Sequence, residues 1–309
     1  MLDAIIDPIS LFFTNPILLG QMIVNGISLS AIYVLVALGF TLLFGIMRVV
    51  NFAHGEFAML GGFSLYYLYG GFTIPWLGLT IKLPWLIAVP LSALAVAVPA
   101  LILERLVFRW FYQRMFQSMI GLMGLSMIMV FGSLLIWDAH ERQVPAAFTR
   151  MIEFGEVLLP LDRLVVIGVA MVTLAVFYLF ITHTRAGLAM RAAAQDLEIA
   201  ETQGIDTRNI YRIAFFVAVL LAALAGALFA QTYTVSPFMG ERPLMVAFIV
   251  VILGGMGSIP GAALGGIILG FTESFLGTMY GAAASAFASF GVVILLLVFR
   301  PWGLLGTPE

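Results

Sequence analysis

Arg48, Asn51, His54 and Glu56 fall within nine residues of the stretch MRVVNFAHGEFAMLGG, Met47 to Gly62. A carboxamide, an imidazole and a carboxylate so close together can hydrogen-bond a polar solute, hold a proton or latch a gate. The stretch offers no side chain suited to nucleophilic attack beside the histidine. On one continuous helix, Asn51, His54, Ala58 and Gly61 form a narrow small and polar stripe with Gly55 and Gly62 beside it. Glu56 turns instead towards Phe52, Met59 and Phe63. A smooth helix therefore separates the carboxylate from the other two groups. A break near Asn51 would release backbone groups that hydrocarbon tolerates only where protein or a water-filled cavity surrounds them. Two readings stand: a turn at the membrane boundary whose charges mark an interface, or a discontinuous segment beside a translocation path.

The elements that hold these residues are set by composition. With 62% hydrophobic and 10% charged residues, the 309-residue chain lies far from the roughly 45–50% apolar and 25% charged residues of soluble domains. Its mean hydropathy is +1.12. Several apolar runs reach the roughly 20 residues a helix needs to cross the bilayer, and they are too continuous for alternating barrel strands. The fold class is therefore an all-α polytopic membrane protein, a helical bundle over residues 1–309 in a single domain. Hydropathy and chain breakers place spans at 17–46, 51–70, 84–104, 118–137, 163–182, 213–233, 244–257, 261–280 and 284–300. The first is long for one straight crossing and the seventh short, so eight to ten transmembrane helices fit. A net charge of −2 with scattered basic residues excludes a nucleic-acid surface. The absence of cysteine excludes disulfides, thiolate metal sites and cysteine nucleophiles.

Arg105, Arg109 and Arg114 follow the third span, and Arg185, Arg191, Arg208 and Arg212 crowd the loop after the fifth, which predicts that both loops are cytoplasmic. Alternation then puts the N-terminus outside with Asp3 and Asp7, the segment Asp138 to Asp162 outside, and Arg300 with the C-terminus in the cytoplasm. The N-terminus lacks the positive region of a cleavable signal, so its first apolar segment is expected to remain as an anchor. The loop at about 183–212 is polar without being Gly/Ser-rich. Ala189 to Gln203 predicts a short helix that Gly204 ends, with Leu188, Ala192, Gln195, Ile199 and Thr202 on one stripe. A phosphate-binding loop needs a lysine, and Lys82, the chain's one lysine, is not in such a motif. This chain is thus expected to bind no cofactor, and any ATP that drives it must be bound by partner subunits.

ALGFTLLFGIMRVVNFAHGEFAMLGGF (Ala37 to Phe63), the loop RAAAQDLEIAETQGIDTRNIYRIAF, VAFIVVILGGMGSIPGAALGGIILGF and the terminal RPWGLLG occur in that order along most of the chain. Together they resemble the branched-chain amino acid ABC transporter permease family, in particular the smaller of its paired permease subunits. The loop departs from the fullest form of the family's docking motif at Gln195 and Asp196. The resemblance implies a permease subunit, not an enzyme, in the lipid of a bacterial inner (plasma) membrane. Its implied partners are a second homologous permease, two ATP-binding subunits and an external solute-binding protein. It further implies that Asn51, His54 and Glu56 serve the path or its gate, and that Ala193, Ala194, Asp196, Glu198, Ala200 and Gly204 contact the ATPase.

The first and third of these segments also read as an internal repeat, apolar helix, glycine-containing break and small-residue helix, although shared glycine and aliphatic composition gives such likeness by chance. The cluster Gly254, Gly255, Gly257, Ser258, Pro260 and Gly261 predicts a non-helical break. Glu273 stands either within the membrane or, with a small boundary shift, at the outer interface. Three dispersed histidines give no metal-ligand spacing. With few groups able to hold both ends of a zwitterion, the path is expected to be weakly selective. Urea or short-amide import within the same family, and a self-sufficient secondary transporter or channel, remain the rival functions.

Overall fold

In a computed structural model, residues 15–74, 79–154 and 157–306 are described. Asp3, Asp7 and Glu156, and with them the expected N-terminal side and anchor, lie outside those residues. Helix α1 (Pro16–Met47) starts where the Asn15 side chain accepts hydrogen bonds from the amides of Ile17 and Leu18, with proline at the first turn. It ends where Arg48 turns left-handed at φ 52° and its N–H bonds the Phe44 carbonyl. Its 32 residues run on unbroken. At 1.5 Å per residue that is about 48 Å, longer than the roughly 30 Å of hydrocarbon.

The helices that follow are α2 (His54–Gly70), α3 (Trp85–Leu106), α4 (Met115–Trp137) and α5 (Leu161–His183). Then come α6 (Arg185–Gln195), α7 (Leu197–Thr202), α8 (Thr207–Phe229), α9 (Glu241–Gly254) and α10 (Ile259–Phe299). Two short antiparallel hairpins interrupt the series: β1 (Phe72–Ile74) with β2 (Leu79–Ile81), and β3 (Met151–Phe154) with β4 (Val157–Pro160). Six helices among the described residues are long and apolar enough to cross a membrane. The chain is an all-α polytopic membrane protein.

Most predicted spans reappear within a few residues, and the departures have local causes. The sixth begins at Thr207 rather than 213, because the Asp206 carboxylate accepts from the Asn209 amide and starts α8 inside its polar turn. The eighth and ninth are joined in α10, yet Gly281 adopts φ 85° and ψ 168° within it. A Cβ on Gly277 would stand 3.6 Å from the Ser285 Oγ. Eight residues of straight helix rise about 12 Å, so the chain folds back at Gly281 into two segments. The expected single loop helix over Ala189–Gln203 is instead α6 and α7, split where Asp196 leaves the helix to cap α7 through the Ile199 amide at 2.9 Å. Gly204, at φ 81°, ends the pair as expected.

Helix α1 is the axle. It packs against α5, α8, α9 and α10, and 83% of its apolar window is buried inside the chain, against 11% for α4 and 22% for α5. A helix that is apolar all round needs such a position, whereas α4 and α5 turn large apolar faces outward. Contacts at the two ends define two opposed rims. The Gln113 amide donates to the Met47 carbonyl, and those of Leu304 and Leu305 to the carbonyls of Leu253 and Gly254. The loops 105–114 and 183–212 and the tail after Arg300 therefore share one rim. At the other, Arg142 and Val235 exchange backbone hydrogen bonds at 2.8 and 2.7 Å.

Helices α2 and α8 cross at backbone contact. A Cβ on Gly61 would lie 2.0 Å from the Ala223 carbonyl oxygen, and one on Gly226 would lie 1.9 Å from that of Ala58. Small residues allow this approach, and it fixes how α2 presents His54 and Glu56. Gly226→Ala is expected to destabilise the protein by about 1–3 kcal/mol through overpacking. Gly124→Ala, on the open face of α4 with nothing within 4 Å, should leave the melting temperature unchanged or raise it slightly. Thermal unfolding of both variants in mild detergent, followed by size-exclusion fluorescence, checks the contrast.

Candidate functional site: a buried helix break and an exposed loop hook

Between α1 and α2 the chain leaves helical geometry, and its freed groups find partners in neighbouring elements. The Val50 amide donates to Ser118 Oγ of α4 at 3.2 Å. The Ala53 amide donates to Asn51 Oδ1 at 3.0 Å, and the His54 amide to the Asn51 carbonyl at 3.2 Å. Asn51 is thus the side chain that shapes the turn into α2.

His54 points back at the axle. Its Nε2 lies 3.0 Å from the Val36 carbonyl, and the Phe40 ring meets the imidazole edge-on at 5.6 Å. A carbonyl only accepts, so Nε2 carries the hydrogen. Glu56 points the other way: its Oε1 accepts from Ser126 Oγ at 3.1 Å, and a Cβ on Gly240 would come within 2.8 Å of Oε2. Ser126 stands midway along α4, which places Glu56 at the middle depth of that helix. Asn51, His54 and Glu56 are 0%, 0% and 2% exposed.

These positions rule out the first of the two readings of the stretch. It is no surface turn, because Val49, Val50, Asn51 and Ala53 are buried along with His54 and Glu56. Nor do the three polar groups line one open lumen; the imidazole and carboxylate face different helices, as the periodicity predicted. Asn51 Nδ2, His54 Nδ1 and Glu56 Oε2 have no hydrogen-bond partner among the described residues. Such atoms are costly to bury, and a rearrangement that satisfied them would be favoured.

The proposed repeat has its structural counterpart. Helix α9 ends at Gly254, Gly255 and Gly257 take φ 103° and 85°, and α10 begins at Ile259 with Ser258 Oγ accepting from the Gly261 amide. Both segments are helix, break, helix.

The loop 183–212 presents a hook at the rim shared by the chain's C-terminal residues. Ala194, Asp196, Glu198 and Gly204 are exposed, but Ala193 and Ala200 are buried at 4% and 3%. Those two alanines anchor the hook to this chain and present nothing to a partner. That corrects the expectation that all six residues form one contact surface. Of the predicted stripe, Leu188 and Ile199 are large, apolar and 61% and 60% exposed.

Sequence reasoning missed the group beneath the hook. Glu104, 2% exposed, accepts a hydrogen bond from the Tyr112 hydroxyl and lies 3.7 Å from Arg212 Nε. Gln113 Nε2 donates to the Tyr211 hydroxyl at 3.0 Å and to the Ile46 carbonyl at 3.3 Å. Burial, reinforced by the Glu104 carboxylate, pushes the Tyr112 phenol well above its ordinary range and keeps it a donor. Glu104 is the one acidic residue in the apolar run 85–106, and that was the available signal. Together these side chains clamp the turn between α3 and α4 to the base of α8.

Comparison with known proteins adds a family. The profile of the family described as "Branched-chain amino acid transport system / permease component" matches residues 22–299. The chain belongs to this permease family. The permease is 33% identical to the high-affinity branched-chain amino acid transport system permease protein BraD of Pseudomonas aeruginosa, over 94% of this chain and 96% of that protein. It is 30% identical to the corresponding protein LivH of Escherichia coli K12, with the same coverage. Identity to LivM of the same organism is 29%, over 49% of this chain and 37% of LivM. No solved structure matches. The permease is accordingly a multi-pass transporter subunit and not an enzyme.

Because Asn51 and His54 are sealed at depth, Asn51→Cys and His54→Cys should resist a membrane-impermeant maleimide applied from either side. Gln203→Cys, on the exposed hook, should label fully from one side only. Labelling of spheroplasts and inverted vesicles, read by mass spectrometry, checks both depth and sidedness.

Proposed function

We propose that this permease forms half of the translocation path of an ATP-driven importer for branched-chain or related neutral amino acids. A second, homologous permease completes the path, two ATP-binding subunits drive it, and an external binding protein delivers solute from the outside. On this reading the N-terminus is outside, and the loop 183–212 and the C-terminus are in the cytoplasm of a bacterial inner membrane. The observation that carries the coupling is the hook: two capped helices at a rim rich in arginine, holding Leu188 and Ile199 out into water. Exposed large apolar groups amid polar ones suit a protein contact.

Closure of the ATPases would push this hook. Its anchors Ala193 and Ala200, and the Glu104–Tyr112–Arg212 clamp behind it, would pass the displacement to α8 and to the α3–α4 turn. Helix α8 crosses α2 at Gly61 and Gly226, so the buried break at Asn51–Glu56 would be repacked, which assigns these residues to gating. Substrate choice would rest largely with the binding protein, and urea or a short amide is the alternative solute.

Copurification and reconstitution test the assignment. The two ATPase subunits and the second permease should be recovered with the intact chain. Ile199→Asp should reduce ATPase recovery about tenfold or more while the melting temperature stays within a few degrees, as a polar change at an exposed position permits. Leucine flux into proteoliposomes by this polypeptide alone would instead establish a self-sufficient transporter.

A further inference from the structure

A cavity of about 240 Å³ lies between α1, the start of α5, the α8–α9 connection and both halves of α10. Polar groups from widely separated parts of the sequence line it: Asn25, Ser28, Arg163, Tyr233, Arg242 and Glu273. Glu273 accepts from the Tyr33 hydroxyl and forms an ion pair with Arg242, whose guanidinium also lies 4.7 Å from the Tyr233 ring centroid. Arg242 and Glu273 are therefore held in place before any guest arrives. Arg163 differs, because it makes no ion pair or hydrogen bond with another described residue.

Two guanidinium groups and one carboxylate leave a surplus positive charge facing the cavity. A guest carboxylate would neutralise it through the bidentate geometry that arginine favours. A guest ammonium would find the Glu273 carboxylate and the oxygens of Asn25 and Ser28. Leu29 and Ile32 supply an apolar wall for a short aliphatic side chain. The volume falls below the roughly 300–1,000 Å³ of drug-sized sites and suits a small solute. The expectation of a weakly selective path rested on a lack of groups for both ends of a zwitterion, and this cavity contains them.

We propose that this cavity is an acceptor site for a zwitterionic aliphatic amino acid, with the solute carboxylate on Arg163 and its ammonium beside Glu273. The proposal rests on the import reading above and adds to it a solute site within the permease itself. Its place beside Thr232 and Tyr233, at the rim opposite the hook, is where solute released from an external carrier would first meet this chain.

The test is equilibrium binding of radiolabelled L-leucine to the purified importer complex in nanodiscs, with no binding protein present. The expected result is saturable binding displaced by unlabelled leucine. Leucinamide, which lacks the carboxylate, and 4-methylpentanoate, which lacks the ammonium, should each displace it about tenfold more weakly, because each forfeits a charged hydrogen bond. Arg163→Gln and Glu273→Gln should each weaken binding about tenfold, and Arg163→Lys should recover part of the loss. If the variants fail to fold, the competitor series on the unaltered complex decides. The proposal is overturned by the absence of saturable binding, by equal displacement with 4-methylpentanoate or inorganic phosphate, or by unaltered binding in both folded variants. Leucine uptake by the fully assembled importer, measured in parallel, keeps the two ideas separate: uptake without such binding removes this site alone, and no uptake removes the import reading.

Discussion

A backbone that stops being helical at membrane depth must take its hydrogen bonds from neighbouring protein, because hydrocarbon supplies none. That requirement organises this chain. The break at Arg48–Ala53 is tolerated because Ser118 reaches one freed amide and Asn51 captures two more with its side chain and carbonyl. Helix α2, which the break leads into, lies against α8 at backbone contact, and only glycine permits that approach, at Gly61 and Gly226. The second break, at Gly255–Ser258, lies at the rim, where residues 303–306 fold back against it and donate to the Leu253 and Gly254 carbonyls. The small-residue content of the sequence is thus tied to its broken helices.

Much of the fold was legible in the sequence, and the reason is physical. Apolar runs long enough to cross a bilayer leave few alternatives, so spans such as 84–104 and 163–182 match α3 and α5 closely. The two glycine-containing breaks were also legible, since dense glycine and proline deny a helix its propensity. Less was visible where a single polar side chain overrides a window average. Asp196 splits a run of good helix formers, and Asp206 starts α8 early, in each case by capping. The hairpins β1–β2 and β3–β4 lay in segments read as plain loops, and periodicity over three or four residues carries too little signal to call them.

The candidate site was legible in part. Burial at Asn51, His54 and Glu56 follows from a break at depth, and the division of His54 from Glu56 follows from helical spacing. What spacing could not reveal is the side each alanine of the hook faces, because a capped break at Asp196 resets the phase of the helix. Nor could it reveal groupings made by folding. Glu104 meets Arg212 across more than a hundred residues of sequence, and Arg242 meets Glu273 from a different helix. Such pairs arise from topology, and a single sequence read by itself contains no record of it.

The uneven burial of α1 and α4 has a mechanical corollary. An interior packed to crystal-like density resists deformation, so α1 and the helices wrapped around it behave as a stiff body. Helix α4 touches the rest of the chain along a thin seam and otherwise faces outward, which makes it the compliant member. The Ser126–Glu56 hydrogen bond crosses that seam, so a sideways shift of α4 reaches a carboxylate buried inside the stiff body.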